Sequence, residues 1–195
     1  LSSGQIKITE SKFYRITGAG MQNKGIHPDI TLPSTWDIEE IGESSYDTAL
    51  PWDEIKPIRF QKFPMRTSLI SQLNDEHLIR VSQSPNLQYI LDIRKRYETQ
   101  KNKEVISLNL TNRRIEKEER QLWALNTENK RRASLNLEIF DSYKAMEDYN
   151  DAKENEDDEK DFAIDIDDDY LLNEGAQILS DYILFNQNTY LSQAA

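Results

Sequence analysis

The chain has 195 residues, of which 37% are hydrophobic and 30% charged, and its formal net charge is −11. It contains no cysteine and two histidines, which excludes disulfides and thiolate chemistry and argues against a zinc site. No run approaches the roughly 18 apolar residues of a membrane-spanning helix, so no transmembrane segment is predicted. Residues 141–169 hold 14 acidic residues against three lysines, so most of the negative charge belongs to that segment.

The first third of the chain is predicted to form short strands and turns. Residues 5–9 alternate polar and apolar side chains, and residues 13–16 are a second strand candidate. Residues 26–32 are a third, which Pro28 and Pro33 either confine to a sheet edge or make irregular. The glycines in Gly18-Ala19-Gly20 permit a sharp turn. Residues 34–57 carry repeated glycine and proline turn signals and are predicted as an ordered loop.

From about residue 65 the hydrophobic spacing changes to that of helices. The first predicted helix has a stripe with four-residue spacing at Leu69, Leu73, His77 and Val81, which Ile70 and Leu78 widen. Ser84-Pro85 predicts a second helix start, because serine caps helices and proline suits the first helical position. The apolar face of that second helix consists of Leu87, Ile90, Leu91 and Tyr97.

The second half of the chain alternates non-helical and helical segments. Residues 104–110 are predicted as a short buried connector or strand, and Thr111 as the cap of a third helix with an apolar side of Ile115, Leu122 and Leu125. On its opposite, exposed side we expect the ion pairs Glu116–Arg120 and Glu128–Arg132. Residues 147–161 are predicted to stay solvated and mobile, and a last helix is predicted from Tyr170.

Two stretches of the chain resemble a known protease family. The first contains Lys12-Phe13-Tyr14-Arg15, then Gly25-Ile26-His27-Pro28-Asp29-Ile30, then Leu50-Pro51-Trp52-Asp53. The second contains Ile106-Ser107-Leu108-Asn109 and Asp169-Tyr170-Leu171-Leu172. Their order resembles the C-terminal portion of tail-specific, or C-terminal processing, serine proteases of the long periplasmic branch. Residues 133–165 match little, and Gly18-Ala19-Gly20-Met21-Gln22 stands where that branch usually has Gly-Gly-Ser-Thr-Gln.

The resemblance implies an α+β fold. A few short N-terminal strands, the end of a protease core, occupy residues 1–57, and a mainly α-helical domain occupies residues 58–195, with the acidic, mobile segment at about 141–168. Structural roles are expected for the motif residues Lys12, Phe13, Tyr14, Arg15, Gly25, Ile26, Pro28, Asp29, Pro51, Trp52 and Asp53. Trp52 is predicted to fill the joint between core and helical domain, because proline fixes the approach of the chain and an indole fills volume.

The same resemblance places the catalytic machinery outside this chain. In that family a lysine activates a serine nucleophile and a PDZ domain captures the substrate tail, and all three precede the strand that begins near Gly4. We therefore expect no catalytic, cofactor-binding or metal-binding residue here. A start without methionine or a signal peptide suggests a cut within a longer protein. The implied function is that of a non-catalytic fragment of a tail-specific endopeptidase, which buttresses the protease core and shapes substrate or adaptor access.

Partners and location are also implied by the resemblance. The partners are the missing N-terminal protease and PDZ portions, unfolded or C-terminally tagged protein substrates, and a helical-repeat adaptor lipoprotein; the location is the periplasm, or the periplasmic face of the membrane, of a Gram-negative bacterium. Nucleic acid is not expected as a partner of so acidic a chain. Unpaired strand edges in residues 1–57 predict a strand-exchanged dimer of the fragment. The alternative function is a free-standing helical module that binds a protein partner and has no link to proteolysis.

Residues that invite a chemical role also have plainer interpretations. His27 lies in a predicted edge strand without a serine or carboxylate motif, and His77 lies on an apolar stripe, so neither is interpreted as catalytic. A calcium loop counted from Asp165 fails, because its required glycine and glutamate positions hold Tyr170 and Ala176. Residues 111–135 hold seven basic and four acidic side chains, typical of an ion-paired exposed helix. Packing and partner-surface roles remain open for two tryptophans, Trp36 and Trp123.

Overall fold

The computed structural model describes residues 4, 10–61, 67–159 and 169–193, without the side chains of 38–39, 67, 154–159 and 187–193. Its contacts divide the chain into two compact units, Leu1–Thr31 with Trp36–Ile70, and Leu32–Thr35 with Ser71–Ala195. The boundary predicted after residue 57 falls within the first unit, and the assignment of residues 1–57 to a protease core stays a prediction.

Turns and isolated backbone bridges build the first unit. Single antiparallel bridges join Tyr14 to Gly20 and Ala19 to Glu54. One short helix, α1 (Ile38–Ile41), and a 3-10 turn (Glu43–Ser45) interrupt the loop that was predicted for residues 34–57.

The N-terminal strands are not confirmed. The strand candidates at 13–16 and 26–32 have, among the described residues, no partner ladder longer than a single bridge, and a strand needs such a ladder for its backbone hydrogen bonds. The strand predicted at residues 5–9 lies outside the described residues.

Two glycines let the chain at residues 53–57 lie directly against the turn at 18–20. Gly18 has a φ of 90°, and a Cβ placed on it would lie 2.0 Å from the carbonyl oxygen of Ile55. A Cβ on Gly20 would lie 2.8 Å from the carbonyl oxygen of Asp53. The backbone N–H of Gly20 donates to that same oxygen at 3.1 Å. The predicted sharp turn is therefore present, and glycine is required at both positions because a side chain would collide with the facing backbone.

Five longer helices make up most of the remaining described residues: α2 (Thr67–Gln83), α3 (Pro85–Lys101), α4 (Leu110–Ser134), α5 (Tyr143–Glu159) and α6 (Tyr170–Gln193). α2 begins in the first unit, and α3 to α6 belong to the second. Within the second unit α3 packs along α4, and α4 packs along α5. The mainly α-helical C-terminal domain is thus confirmed. In the described part of the chain, none of these helices is long and apolar enough to cross a bilayer.

Local capping residues set the starts of α3 and α6. The Ser84 hydroxyl accepts from the backbone N–H of Leu87 at 3.4 Å, and α3 begins at Pro85 as predicted. Asp169 Oδ1 accepts from the backbone N–H groups of residues 171 and 172 at 3.1 and 2.9 Å. α6 therefore begins at Tyr170, again as predicted.

The start of α4 differs from its prediction. Asn109, and not Thr111, is the cap, because its Oδ1 accepts from the N–H groups of residues 111 and 112 at 2.9 and 3.2 Å. The preceding segment, residues 104–109, is exposed, with Leu108 97% exposed. The prediction of a buried connector is wrong because no described segment covers these apolar side chains.

The apolar core of the second unit is small. Five apolar side chains are buried among the described residues, namely Leu73, Val81, Leu87, Ile90 and Met146, and three of them form one cluster where α2 meets α3. Leu78, which was predicted to widen the stripe of α2, and Leu91, which was predicted on the apolar face of α3, are exposed, as are Ile115 and Leu122 on α4. Each stripe is narrower than predicted because a neighbouring helix covers only one side of it.

α5 forms where the sequence predicted a solvated, mobile segment. The Ser142 hydroxyl accepts from the N–H of Ala145 at 3.2 Å, and Met146 is buried one turn later. These local anchors give the acidic sequence a helical start that its composition does not reveal. The described side chains from 147 to 153 are exposed, as predicted, and residues 160–168 lie outside the described residues.

Candidate functional site

A group of polar and charged side chains, two of them buried, joins α2 to α6. His77 Nδ1 lies 2.7 Å from Glu174 Oε1, and the two residues are 1% and 5% exposed. Arg80 Nε donates to both Glu174 oxygens at 3.0 and 3.1 Å, and its Nη1 donates to Asp181 Oδ2 at 2.6 Å. Spacings of three residues on α2 and seven on α6 place each pair on one helix face. We call His77, Arg80, Glu174 and Asp181 the α2–α6 ion network.

The α2–α6 ion network favours the charged form of Arg80. Burial alone would lower the pKa of the Arg80 guanidinium, but its hydrogen bonds to Asp181 and Glu174 outweigh burial and raise that pKa. Arg80 Nη2 is buried without a hydrogen-bond partner. Since removing one member of a buried ion pair leaves an uncompensated charge, the cost of such a change is about 3–5 kcal/mol.

This arrangement holds helices together and does not suit catalysis. A general base must reach a substrate or a nucleophile, whereas the His77 ring is almost fully buried and its Nδ1 faces Glu174. The interpretation of His77 as a packed residue is confirmed. His27 is exposed, and among the described residues no group of three or more His, Cys, Asp or Glu side chains could hold a metal ion.

A second buried carboxylate, Glu128, holds Arg131, which joins α4 to the start of α3. Glu128 is 8% exposed and accepts from Arg131 Nη2 and Nε at 2.6 and 2.9 Å, a bidentate pair. Arg131 Nη1 also donates to Asn86 Oδ1 at 2.9 Å, and the guanidinium lies 5.3 Å from the ring centroid of Tyr89. The hydrogen bond to Glu128 raises the pKa of Arg131, while burial and the Glu128 charge raise that of Tyr89.

Ion pairs on α4 differ in part from those predicted. Glu128 does approach Arg132 at 4.0 Å, but from the buried side of the helix and not the exposed one. Glu116 pairs with Lys103 at 2.6 Å and with Arg113 at 2.8 Å, so the predicted partner Arg120 is replaced. Hydrogen bonding to Lys103 lowers the pKa of Glu116.

An aromatic clamp fixes the connection from α4 to α5. Asn129 Nδ2 donates to the carbonyl oxygen of Phe140, and the Phe140 N–H donates to Asn129 Oδ1, both at 2.8 Å. The Arg132 guanidinium lies 4.3 Å from the Phe140 ring centroid and 5.2 Å from that of Tyr149. The two rings are 5.3 Å apart and inclined by 55°. Cation–π contacts and hydrogen bonds therefore position α5 against α4.

In the first unit, Trp52 and Asp53 anchor the glycine turn. Trp52 Nε1 donates to the carbonyl oxygen of Gly20 at 2.8 Å, and Lys24 Nζ lies 4.0 Å from the indole centroid. The Asp53 carboxylate accepts from the Tyr14 hydroxyl at 3.0 Å and pairs with Lys12 Nζ at 3.2 Å. Desolvation and the hydrogen bond to Asp53 raise the pKa of Tyr14. Residues that lie 39 positions apart in the chain are thereby joined.

The structure brings some of the predicted motif residues together and leaves the others apart. The structure brings together Lys12, Tyr14, Pro51, Trp52 and Asp53, since Lys12 Nζ also donates to the carbonyl oxygen of Pro51 at 3.3 Å. Arg15 and Gly25 form backbone hydrogen bonds within turns, and the remaining side chains are exposed or partly exposed: Phe13, Ile26, Pro28 and Asp29. The structural roles assigned to all of these residues, including that of Trp52 in a joint, stay predictions.

Sequence reasoning missed the buried carboxylates. Glu128 was expected on an exposed face, and no role was predicted for Glu174 or Asp181. A signal was present for Glu174, because it shares the 3.6-residue stripe of α6 with Ile178, Asp181 and Phe185. Acidic residues on the covered face of a helix indicate a cationic partner on a neighbouring element.

Comparisons with known proteins agree with the resemblance seen in the sequence. Residues 36–184 match the profile of the family described as "C-terminal domain of tail specific protease (DUF3340)". A tail-specific protease of Haemophilus influenzae is 28% identical over 197 residues, which cover 98% of this chain and 26% of that protein. The chain thus spans about a quarter of the length of this curated relative. Because the family profile matches well over half of the chain, the chain belongs to the family of C-terminal domains of tail-specific proteases.

Proposed function

We propose that this chain is the non-catalytic C-terminal part of a tail-specific serine endopeptidase, in which it buttresses the protease core and shapes the access of substrates or an adaptor. The observation that carries the proposal is the exposed apolar segment that precedes and begins α4, with Val105, Ile106, Leu108 and Leu110 all facing solvent. Contiguous apolar surface is unfavourable in water and marks sites of interaction. The rest of a longer protease is the natural cover for it.

The outward face of α6 supports the same proposal. Glu174 and Asp181 direct one face of the helix toward α2, whereas Leu172, Leu179 and Ile183 are exposed. A helix that is held by ions on one face and is apolar on another is suited to lie between two bodies. α6 would then transmit the position of α2 to whatever covers its apolar face.

The chemistry of the parent protein is part of the proposal. A serine nucleophile, an activating lysine and a PDZ domain would lie upstream of residue 1, and the first residues of this chain would complete the strands of that core. The parent would cleave unfolded or C-terminally tagged proteins in the periplasm of a Gram-negative bacterium. The similarity of the chain to the Haemophilus influenzae tail-specific protease supports this activity.

A double substitution in the full-length protein tests the buttress. Ile106→Asp with Leu108→Asp places two charges in the exposed apolar segment, where each side chain would contribute about 1.5–3 kcal/mol if fully covered. We expect a Tm several degrees lower and slower cleavage of an unfolded reporter protein. The matched control is Asn150→Asp with Gln177→Asp, which adds the same charge at exposed polar positions. Equal Tm and cleavage rates for both variants would overturn the proposal.

A further inference from the structure

Two grooves flank a single arginine–tryptophan pair on the surface of α3, α4 and α5. The Arg96 guanidinium lies 5.3 Å from the ring centroid of Trp123. A groove of about 440 Å³ between α3 and α4 contains both residues, and a second groove of about 440 Å³, which reaches Tyr143 of α5, contains them too. We call them the α3–α4 groove and the α4–α5 groove. All of their lining residues belong to the second unit.

The charge of this surface is opposite to that of the chain. The α3–α4 groove is lined by Lys95, Arg96 and Lys130 against one carboxylate, Asp92. The α4–α5 groove adds Lys117 and Arg120 against Glu147. Five cationic and two anionic side chains therefore line the pair of grooves, in a chain whose net charge is −11. Such a local excess attracts anionic partners.

Arg96 has unused hydrogen-bonding capacity at the centre of this surface. Its Nε is buried and has no hydrogen-bond partner, whereas Arg80 and Arg131 are each bound by a carboxylate. A guanidinium beside an indole can offer its terminal Nη groups to a carboxylate of a bound partner. Arginine and tryptophan are also the residue types that contribute most at protein interfaces.

We propose that the two grooves form a docking site for an acidic peptide segment of a partner protein. Arg96 would bind a carboxylate at the ridge between the grooves, and Trp123 would contact an adjacent apolar side chain. Lys95 would face a further acidic residue in the α3–α4 groove, and Arg120 would face another in the α4–α5 groove. Two grooves of about 440 Å³ each, on either side of one ridge, have room for several residues and so fit an extended peptide better than a compact anion. The inference rests on the proposed function and extends it, since it states that the partner of the helical domain presents an acidic peptide segment.

Fluorescence anisotropy of a labelled synthetic peptide, five glutamates around a central phenylalanine, tests the proposal on the full chain. We expect saturable binding that weakens with added salt. Arg96→Gln should weaken it about tenfold, and Lys95→Gln about threefold, because hydrogen bonds to charged groups dominate such contacts. Lys95 is exposed, so its variant remains informative if Arg96→Gln fails to fold. The matched control is Arg114→Gln, an exposed α4 cation outside both grooves, which should leave binding unchanged.

Three results would overturn the docking site. Arg114→Gln could weaken binding as much as Arg96→Gln, which would mean diffuse charge attraction. A single-stranded oligonucleotide could bind as tightly as the peptide, which would make the surface a nucleic-acid site. Self-association of the chain that Arg96→Gln abolishes would make a second copy the occupant. The binding experiment measures no proteolysis, so an absence of peptide binding would not contradict the proposed buttress. Likewise, unchanged cleavage and Tm in the Ile106→Asp, Leu108→Asp variant would not contradict the docking site.

Discussion

At the scale of single residues, Glu174 joins two side chains of α2 through one buried carboxylate. Glu174 is only 5% exposed, and its carboxylate contacts both His77 Nδ1 and Arg80 Nε. It is therefore shared by two side chains that can carry a positive charge. Asp181 alone cannot replace it, because Asp181 binds only through Arg80 Nη1. Removal of the Glu174 carboxylate leaves His77 Nδ1 and Arg80 Nε without their shared acceptor.

We therefore predict that Glu174→Gln lowers the free energy of unfolding by about 3–5 kcal/mol, the range for breaking a buried ion pair. Urea denaturation followed by circular dichroism measures this directly. Glu118→Gln, the same change at an exposed position of α4, should stay within about 0.5 kcal/mol. A loss below 1 kcal/mol for Glu174→Gln would show that the α2–α6 ion network contributes little.

The sequence placed His77 on a covered stripe but could not supply its partner. Glu174 lies 97 positions away, and contacts at such a distance depend on how helices pack rather than on local spacing. Glu128 shows the same limit, since α4 has charged residues all round and its covered face is set by α3.

At the scale of elements, helix starts depend on a few local hydrogen bonds. Asn109 satisfies two amides of the first turn of α4, while Thr111 already lies within the helix. We predict that Asn109→Ala destabilises the chain by about 0.5–2 kcal/mol, the usual cost of losing an N-cap. Thr111→Ala should lower the free energy of unfolding by less than half as much. Thermal denaturation of both variants measures the difference. The reverse order would restore Thr111 as the cap.

The residues at which helices begin were therefore easier to predict from the sequence than the contacts that cover or stabilise a segment. Ser84-Pro85 and Asp169-Tyr170 mark the starts of α3 and α6 because capping acts within four residues. The exposure of residues 104–109 and the helical state of α5 were not predictable in this way. The first depends on what covers the segment, and the second on Met146 and the Phe140–Tyr149 contact holding an acidic sequence in place.

At the scale of the whole chain, apolar surface is distributed unlike that of a self-sufficient domain. Leu108 is almost fully exposed, and Leu172, Leu179 and Ile183 face solvent on α6, while the buried apolar set of the described residues is small. We predict that the isolated chain self-associates as its concentration rises, and that Leu108→Asp lowers the average mass. Sedimentation across a hundredfold range of concentration measures this. A single monomeric mass throughout, for both proteins, would contradict the prediction.

The family assignment, by contrast, came from short motifs and needed no packing. Lys12 and Tyr14 meet Asp53 in the structure, so two motif segments distant in the chain form one cluster. Their resemblance to tail-specific proteases could be recognised from the sequence, whereas the strands predicted for them have no ladder longer than a single bridge among the described residues.

The α2–α6 ion network also has a consequence for the order of folding. It closes a loop of 97 positions, whereas the contacts of α3 with α4 and of α4 with α5 close much shorter ones. Loop closure costs more entropy as the loop lengthens, so contacts between neighbouring helices form faster. During synthesis α2 emerges well before α6, and its charged face has no acceptor until α6 arrives. The arrival of α6 thus completes the α2–α6 ion network, and refolding kinetics of Glu174→Gln should show the change mainly in the unfolding rate.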